Sequence, residues 1–241
     1  MTRHAVVTGG GSGIGRAIAV ELADAGFDVV VAGRRPGPLK ETCAVIGPAA
    51  KEVLIDITQP DSVADALPEL PGQIDVLVNN AGAPPAGTAA DLAGVKAEWL
   101  ASLESNLLGA VLMTEALRPR FTADARIVNI GSIAAKSAPF GFGPYGPAKA
   151  ALETWTGNLA FQIGRQGVTV NTVAPNAVER TATVECFLTA EQLASIERQT
   201  ATRRLCTPED VAAAVAFLAS PAARQITGQV LYLGAGVVMA R

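Results

Sequence analysis

The chain has 241 residues, of which 49% are hydrophobic and 17% are charged, and its net charge at pH 7 is -3. This length suits one large domain with a buried core, and the composition excludes a disordered chain. No block of basic residues appears, which excludes a nucleic-acid-binding surface. The three cysteines are widely separated and lack metal-ligand spacing, so we expect packing residues in a reducing, cytoplasmic setting and no metal site.

The mean hydropathy of +0.32 does not indicate a membrane protein, because the apolar segments are short and interrupted. None approaches the roughly 18 apolar residues that span a bilayer. The first residues run directly into a strand pattern, so we expect no signal peptide. His4 is the only histidine and precedes every motif, which excludes Ser-His-Asp hydrolysis and histidine-rich metal sites.

Apolar strand patterns alternate with amphipathic helix patterns along the chain. Strands that are apolar on both faces and separated by helices predict a parallel sheet covered on both sides, with right-handed crossovers. We predict strands at His4–Thr8, Asp28–Ala32, Glu52–Ile55, Ile74–Val78, Arg126–Ile130, Val168–Val173 and Gln229–Leu233. We predict helices at Ile14–Ala25, Pro38–Ile46, Asp61–Leu67, Lys96–Leu117, Tyr145–Gly164, Ala190–Gln199 and Pro208–Ala219.

No repeat or linker divides the chain, so these elements predict one α/β domain over residues 1–241. Its architecture is a doubly wound parallel sheet in three layers (α/β/α), with ligands at the carboxyl ends of the strands. Two stretches are less regular: Ala83–Gly94 is a predicted loop, and Asn176–Arg204 is a predicted mobile lid.

A glycine-rich segment, Thr8–Gly15, lies between the first strand and the first helix. Glycine permits positive φ and close approach of the backbone to a pyrophosphate, and a helix start offers free N–H groups. The spacing is T-G-x-x-x-G-x-G, and the usual G-x-G-x-x-G does not fit. A plain tight turn is the alternative, but the position in the first strand-turn-helix unit favours a phosphate site. The predicted cofactor contacts here are Gly9, Gly11, Ser12, Gly13, Ile14 and Gly15.

The second strand ends at Gly33, followed by Arg34 and Arg35. An acid at this position would bind a ribose 2′-hydroxyl and select NAD, but the chain has two cations there instead. A charge-assisted hydrogen bond to a 2′-phosphate is worth roughly 1.5–3 kcal/mol. We therefore expect NADP(H) and consider NAD(H) second; a solvated start to a helix is the alternative interpretation of the arginines.

Tyr145 and Lys149 are four residues apart at the start of a predicted helix, so their side chains share a face. A phenol is a poor acid–base group at neutral pH. An ammonium about 4 Å away attracts the phenolate by roughly 4 kcal/mol, which predicts a Tyr145 pKa near 7. Ser132, at the end of the preceding strand, can donate to a carbonyl oxygen; a turn cap is its alternative role.

Together these motifs resemble the short-chain dehydrogenase/reductase family, in the manner of its 3-oxoacyl-[acyl-carrier-protein] reductases, and the resemblance spans the chain. It implies a Rossmann-type fold and a catalytic tetrad. The tetrad residues are Asn106, Ser132, Tyr145 and Lys149. Further matching segments are Asn79–Gly82, Arg203, Pro208–Ala212 and Thr227–Gly228.

The resemblance also implies roles for single residues. Asp56 and Ile57 would hold the adenine ring, although an ordinary strand-end acid is the alternative. Asn106 would hold a water that links Lys149 to solvent; a polar interface residue is the alternative. Lys149 would also bind the nicotinamide ribose. The remaining cofactor contacts implied are Asn80, Ala81, Gly82, Tyr145, Pro175 and Val178.

The expected activity is NADPH-dependent reduction of a ketone or β-keto acyl group to a secondary alcohol, with Tyr145 as general acid. A catalytically silent NADP(H)-binding regulatory protein, an epimerase and an oxidative dehydrogenase remain alternatives. We expect the substrate pocket between Ile133–Gly143 and Asn176–Thr200. Its apolar side chains, which favour a mostly apolar substrate, include Phe140, Phe142, Phe187 and Leu188.

Three positions depart from the family pattern. Ser12 stands where many NADP-using relatives have a second basic residue, Asn176 follows Pro175 in place of glycine, and Leu233–Gly236 replaces a more usual Asp-Gly-Gly. We expect the loop after Pro175 to differ in shape, although asparagine tolerates unusual φ.

The two long helices 96–117 and 145–164 carry apolar residues on more than one face. Relatives pair these helices between subunits, so we expect a homodimer or homotetramer; burial within the monomer is the alternative. The residues concerned are Leu100, Leu103, Leu107, Val111, Leu152, Trp155 and Leu159.

Overall fold

The computed structural model describes residues 2–83, 89–136 and 143–237. Its centre is a sheet of seven strands, all parallel, in the spatial order β3-β2-β1-β4-β5-β6-β7. The predicted doubly wound α/β fold is confirmed. The strands are β1 (Arg3–Thr8), β2 (Phe27–Gly33), β3 (Ala50–Leu54), β4 (Ile74–Asn79), β5 (Phe121–Ile130), β6 (Thr169–Pro175) and β7 (Val230–Leu233).

Helices cover both faces of the sheet. One core packs α1, α2 and α9 on the sheet through residues such as Ile18, Leu39 and Val215, whereas the other packs α3, α5 and α6 through Val63, Met113 and Leu159. The helices are α1 (Gly13–Asp24), α2 (Pro36–Ile46), α3 (Pro60–Ala66), α4 (Leu92–Leu103), α5 (Gly109–Leu117), α6 (Tyr145–Ile163), α7 (Ala182–Phe187), α8 (Ala190–Gln199) and α9 (Pro208–Ala219).

Strand β1 lies between β2 and β4, so the order of strands reverses at its edge. Such a switch point leaves a crevice at the carboxyl ends of the strands, where ligands bind in open α/β sheets. Hydrogen bonds hold the strand ends at this crevice in place: the Thr8 hydroxyl accepts from the backbone N–H groups of Asn80 and Ala81, each at 3.0 Å. The Asn80 amide donates to the Thr8 carbonyl at 2.9 Å, so the ends of β1 and β4 are fixed together.

The predicted long helix at Lys96–Leu117 is interrupted by one wide π turn, Glu104–Leu108, between α4 and α5. It also begins earlier, inside the predicted loop Ala83–Gly94, because the Asp91 carboxylate accepts from the Gly94 N–H at 2.7 Å and caps α4. Residues 84–88 of that loop lie outside the described residues. Apolar periodicity does not mark a π turn, since its neighbours continue the same helix.

The predicted lid Asn176–Arg204 is not irregular throughout. It contains α7, which the sequence pattern did not predict, and α8, which it did. Threonines begin both helices: Thr181 accepts from Val184, and Thr189 forms a capping box with Gln192. The first helix was missed because it has only six residues and no apolar period.

No helix in the described part of the chain combines the length and apolar character needed to cross a membrane. The described ranges also contain no group of three or more candidate metal ligands. Burial raises the pKa of Cys43, beside Glu52, and that of Cys206 to about 11, so both remain thiols near neutral pH. Cys186 is exposed, so its predicted packing role is wrong.

Candidate functional site

The glycine turn forms the floor of the crevice between β1 and α1. Gly9 and Gly13 have φ of 67° and 52°, a conformation that favours glycine. A Cβ on Gly15 would lie 2.2 Å from the Gly9 carbonyl oxygen and 2.5 Å from the Asn80 amide nitrogen. The turn therefore brings bare backbone to the crevice at the start of α1, where N–H groups can receive an anion.

The two arginines after β2 occupy different places. Arg35 donates to the Ser12 hydroxyl at 3.4 Å, so its guanidinium reaches over the glycine turn. Arg34 lies 3.8 Å from the Asp56 carboxylate and is 72% exposed. The side chain of Arg35 thus reaches the position of Ser12, where relatives were expected to carry a second cation.

Asp56 follows β3 and faces the crevice beside Ile57. Its burial acts to raise the pKa of the carboxyl, but hydrogen bonds from the Thr58 N–H and hydroxyl, together with the Arg34 guanidinium, hold this pKa below its usual value. Asp56 is therefore ionised at neutral pH and can accept a hydrogen bond from a ligand amino group.

Three polar side chains meet on the opposite wall. The Lys149 ammonium is buried, donates to the Ile130 carbonyl at 2.9 Å and lies 5.7 Å from the centre of the Tyr145 ring. The Tyr145 hydroxyl is hydrogen-bonded with Ser132. Ser132 also accepts from the Ala134 N–H at 3.2 Å, so it caps a turn as well as facing the phenol.

Burial decides the acid–base character of this wall. It raises the pKa of Tyr145, with the Ser132 hydrogen bond opposing the rise, and it lowers the pKa of Lys149 to about 8. The prediction that Lys149 brings the Tyr145 pKa down to about 7 is wrong for this structure. Both groups are taken out of water, which disfavours the charged form of each, and the ammonium is directed to the Ile130 carbonyl.

Asn106 lies in the π turn beside this group. Its amide nitrogen donates to the Ser102 carbonyl, but its buried Oδ1 has no hydrogen-bond partner. A Cβ on Gly82 would lie 2.6 Å from that oxygen and 3.6 Å from the Lys149 Nζ. A buried acceptor and an ammonium thus border one small space, which is the arrangement that a bridging water requires.

These groups line one cleft of about 900 Å³. It is large enough for a dinucleotide and a small substrate together. All of the residues predicted as catalytic residues or cofactor contacts line this cleft: Gly9, Gly11, Ser12, Gly13, Ile14, Gly15, Arg34, Arg35, Asp56, Ile57, Asn80, Ala81, Gly82, Asn106, Ser132, Tyr145, Lys149, Pro175 and Val178.

Sequence reasoning missed several cleft residues. Pro38 and Leu39 line the cleft in the first turn of α2, and their position a few residues after the arginines was the available signal. Glu104 and Ser105 of the π turn line it together with Asn106, and Ala101 lines it from the end of α4. No pattern in the sequence marks these three.

The substrate side of the cleft is mostly apolar. Leu188 lines it as predicted, but Phe187 is 42% exposed and does not, so its predicted place in the pocket is wrong. Phe140 and Phe142 lie outside the described residues. The apolar residues that extend this side are Val184, Ile196 and Val237.

Two of the departures from the family pattern have structural outcomes. Asn176 does not adopt positive φ, and its side chain accepts from the Ala177 N–H at 2.8 Å, so the turn needs no glycine there. Ala235, in contrast, has φ of 47°, a left-handed conformation that is unfavourable for alanine by roughly 1 kcal/mol.

The fold and the site define a class of protein: a Rossmann-type oxidoreductase with a glycine turn for a dinucleotide and a Ser-Tyr-Lys group beside it. A family model described as enoyl-(acyl carrier protein) reductase matches residues 9–238. The chain is 34% identical over 240 residues to the 3-oxoacyl-[acyl-carrier-protein] reductase FabG of Vibrio cholerae, covering 98% of this chain and 97% of that protein.

Solved structures agree. An oxidoreductase of the short-chain dehydrogenase/reductase family from Burkholderia thailandensis superposes with a TM-score of 0.85 and 32% identity, over 99% of this chain and 93% of that one. A variant of actinorhodin polyketide ketoreductase, solved with NADPH, superposes with a TM-score of 0.85 and 31% identity, over 98% of this chain and 97% of that one. The chain belongs to the short-chain dehydrogenase/reductase family, of the ketoreductase type represented by FabG, which confirms the predicted resemblance.

Proposed function

We propose that this protein is an NADPH-dependent ketoreductase that converts a ketone or β-keto acyl group to a secondary alcohol. The observation that carries the proposal is the meeting of Ser132, Tyr145 and Lys149 on one wall of the cleft whose floor is the glycine turn. The relatives named above as 3-oxoacyl and polyketide ketoreductases support the same class of substrate.

The residues of the cleft fit a dinucleotide phosphate. The glycine turn and the start of α1 would receive the pyrophosphate, Asp56 the adenine amino group, and Arg34 and Arg35 the 2′-phosphate. Arg35 already lies over the turn through Ser12, which supports NADP(H) over NAD(H). When bound, the nicotinamide supplies the hydride that reduces the carbonyl carbon.

The side chains of the cleft would supply the proton that the reduction requires. The Ser132 hydroxyl and the Tyr145 hydroxyl would both donate to the carbonyl oxygen, stabilising the charge that develops there. Tyr145 then gives up its proton to that oxygen. Lys149 and a water held at Asn106 Oδ1 would return a proton from solvent, since both border the same space at Gly82.

The protonation state of Tyr145 suits the reductive half of the reaction. Burial raises the pKa of Tyr145, so the phenol stays protonated at neutral pH and is ready to act as an acid. Alcohol oxidation and epimerisation need the phenolate as a base. We therefore expect the oxidative direction to become measurable only at alkaline pH.

The experiment is NADPH oxidation, followed by loss of absorbance, with a panel of ketones that includes β-keto esters and thioesters. We expect turnover with apolar β-keto compounds and weaker use of NADH. Tight NADPH binding with no turnover on any member would contradict the proposal and support a silent regulatory protein.

We also propose a homodimer or homotetramer. Leu152 and Leu159 of α6 are buried within the monomer, so they do not serve this purpose. Trp99, Leu100 and Leu108 are each more than 40% exposed on α4 and the π turn, and they remain candidates for a subunit interface. Light scattering at micromolar concentration tests this, and a monomer would contradict it.

The three free cysteines support the further proposal of a reducing, cytoplasmic setting.

A further inference from the structure

A buried carboxylate lies behind the proposed reacting group. Glu153 is one helical turn beyond Lys149 on α6, and its side chain is only 7% exposed. A carboxylate held out of water requires partners, because its desolvation is costly when it is not compensated.

Two side chains from distant parts of the chain converge on one oxygen of this carboxylate. The Tyr232 hydroxyl donates to Glu153 Oε2 at 3.0 Å, and the Lys136 ammonium lies 3.5 Å from the same oxygen. The Lys136 ammonium and the Tyr232 hydroxyl also interact with each other, which completes a triangle.

Each corner of the triangle belongs to an element that carries part of the cleft. Ser132 and Lys136 are the two ends of one short turn, tied by backbone hydrogen bonds from Ala135 to Ser132 at 3.1 Å and from Lys136 to Ile133 at 2.9 Å. Tyr232 pairs in register with Ala174, beside Pro175 of the cleft, and Glu153 shares α6 with the Tyr-Lys pair.

We propose that Glu153 is a positioning residue: with Lys136 and Tyr232 it holds the turn that carries Ser132, and the end of the sheet, against the helix that carries Tyr145. The inference rests on the proposed function for its kinetic consequence. None of the three side chains lines the cleft, so the network acts through Ser132 rather than on the substrate.

The network can hold the turn because the two members of the Lys136–Glu153 ion pair differ in exposure. The Lys136 side chain is 55% exposed, and an ion pair between two exposed groups would contribute little. Here the acid is buried, so removing the cation leaves a charge in the interior with only the Tyr232 hydroxyl to compensate it. The turn is therefore attracted to α6 more strongly than a surface contact would allow.

The test compares variants Lys136→Met and Tyr232→Phe with the matched control Lys51→Met. Lys51 is 57% exposed and lies 3.9 Å from Glu69, and neither residue of this surface pair lines the cleft. We expect both network variants to lower kcat about tenfold through a small displacement of Ser132, with the Kd of NADPH unchanged. Lys136→Arg should retain most of the activity.

A double-mutant cycle separates positioning from general stability. In a Glu153→Gln background the buried charge is gone, so adding Lys136→Met should lower kcat no further. If the network variants lower the melting temperature while kcat and KM match those of Lys51→Met, the positioning role is overturned.

Hydrogen exchange keeps the inference testable if the wild-type protein reduces no ketone and the proposed function fails. The amide of Ala135, which donates to the Ser132 carbonyl, should exchange faster in Lys136→Met than in Lys51→Met. Equal exchange in the two variants would overturn the inference whatever the enzyme's activity.

Discussion

The two ends of the cleft are built in different ways. The cofactor end is backbone packed on backbone: a Cβ on Gly15 would lie 2.2 Å from the Gly9 carbonyl oxygen, and the residues involved are nearly consecutive. The reacting end is made of side chains from the turn after β5, the π turn and α6, and each is held by a hydrogen bond to another element. The first end tolerates almost no added atom, whereas the second depends on the relative positions of distant elements.

The largest effect should come from breaking the reacting end alone. Tyr145→Phe removes the proton donor and leaves the glycine turn untouched, so turnover should fall by roughly 10²–10⁴-fold or more. NADPH binding, measured by fluorescence titration, should remain within about twofold of wild type, since a single uncharged hydroxyl contributes little there. Retained turnover would refute the role of Tyr145.

The reverse experiment breaks the cofactor end alone. Gly15→Ala places a methyl group against the Gly9 backbone, which cannot move away as a flexible side chain can. Overpacking of this kind typically costs roughly 1–3 kcal/mol, so NADPH affinity should fall about tenfold to a hundredfold.

Gly72→Ala is the control for that variant. Gly72 is exposed, and an added Cβ there would meet nothing within 4 Å. Equal NADPH affinities in the two alanine variants would show that the close approach at Gly15 is unimportant for binding.

The burial of Lys149 at the reacting end makes the free energy of unfolding depend on pH. Its pKa is lowered from 10.5 to about 8, so between these values the unfolded chain binds more protons than the folded one, and stability rises with pH. Below pH 8 the charged group lowers the free energy of unfolding by roughly 3 kcal/mol.

Urea unfolding of wild type and Lys149→Met between pH 7 and pH 10.5 measures this rise. The wild type should gain stability relative to the variant as the pH increases through that window. Parallel curves would mean that the ammonium is not held in a desolvated site.

The last effect concerns cofactor choice at the edge of the cleft. Replacing Arg34 and Arg35 with alanine should weaken NADPH about tenfold to a hundredfold per lost contact and leave NADH nearly unchanged. Arg35 should contribute more, because Arg34 is already engaged by Asp56. Arg118→Ala, at a surface pair with Glu115, is the control. Equal losses for both cofactors would argue against a 2′-phosphate site.

The difference between the two ends also explains how far the sequence could be interpreted. The glycine turn, the alternation of strands and helices and the Tyr145–Lys149 spacing are short-range patterns. Each follows from local backbone freedom or from one helical period. They were sufficient to predict the fold and to carry the family resemblance, which implied catalytic and cofactor residues that all line the cleft.

Tertiary structure decided what depends on burial and on contacts across elements. The direction of the Tyr145 pKa shift is set by desolvation, which outweighs the Ser132 hydrogen bond and which the Tyr145–Lys149 spacing alone does not reveal. The π turn at Asn106, the exposure of Phe187 and the convergence of Lys136 and Tyr232 on Glu153 likewise arise only when distant segments pack. Local sequence determines which groups are available, but their solvation and mutual distance are properties of the folded chain.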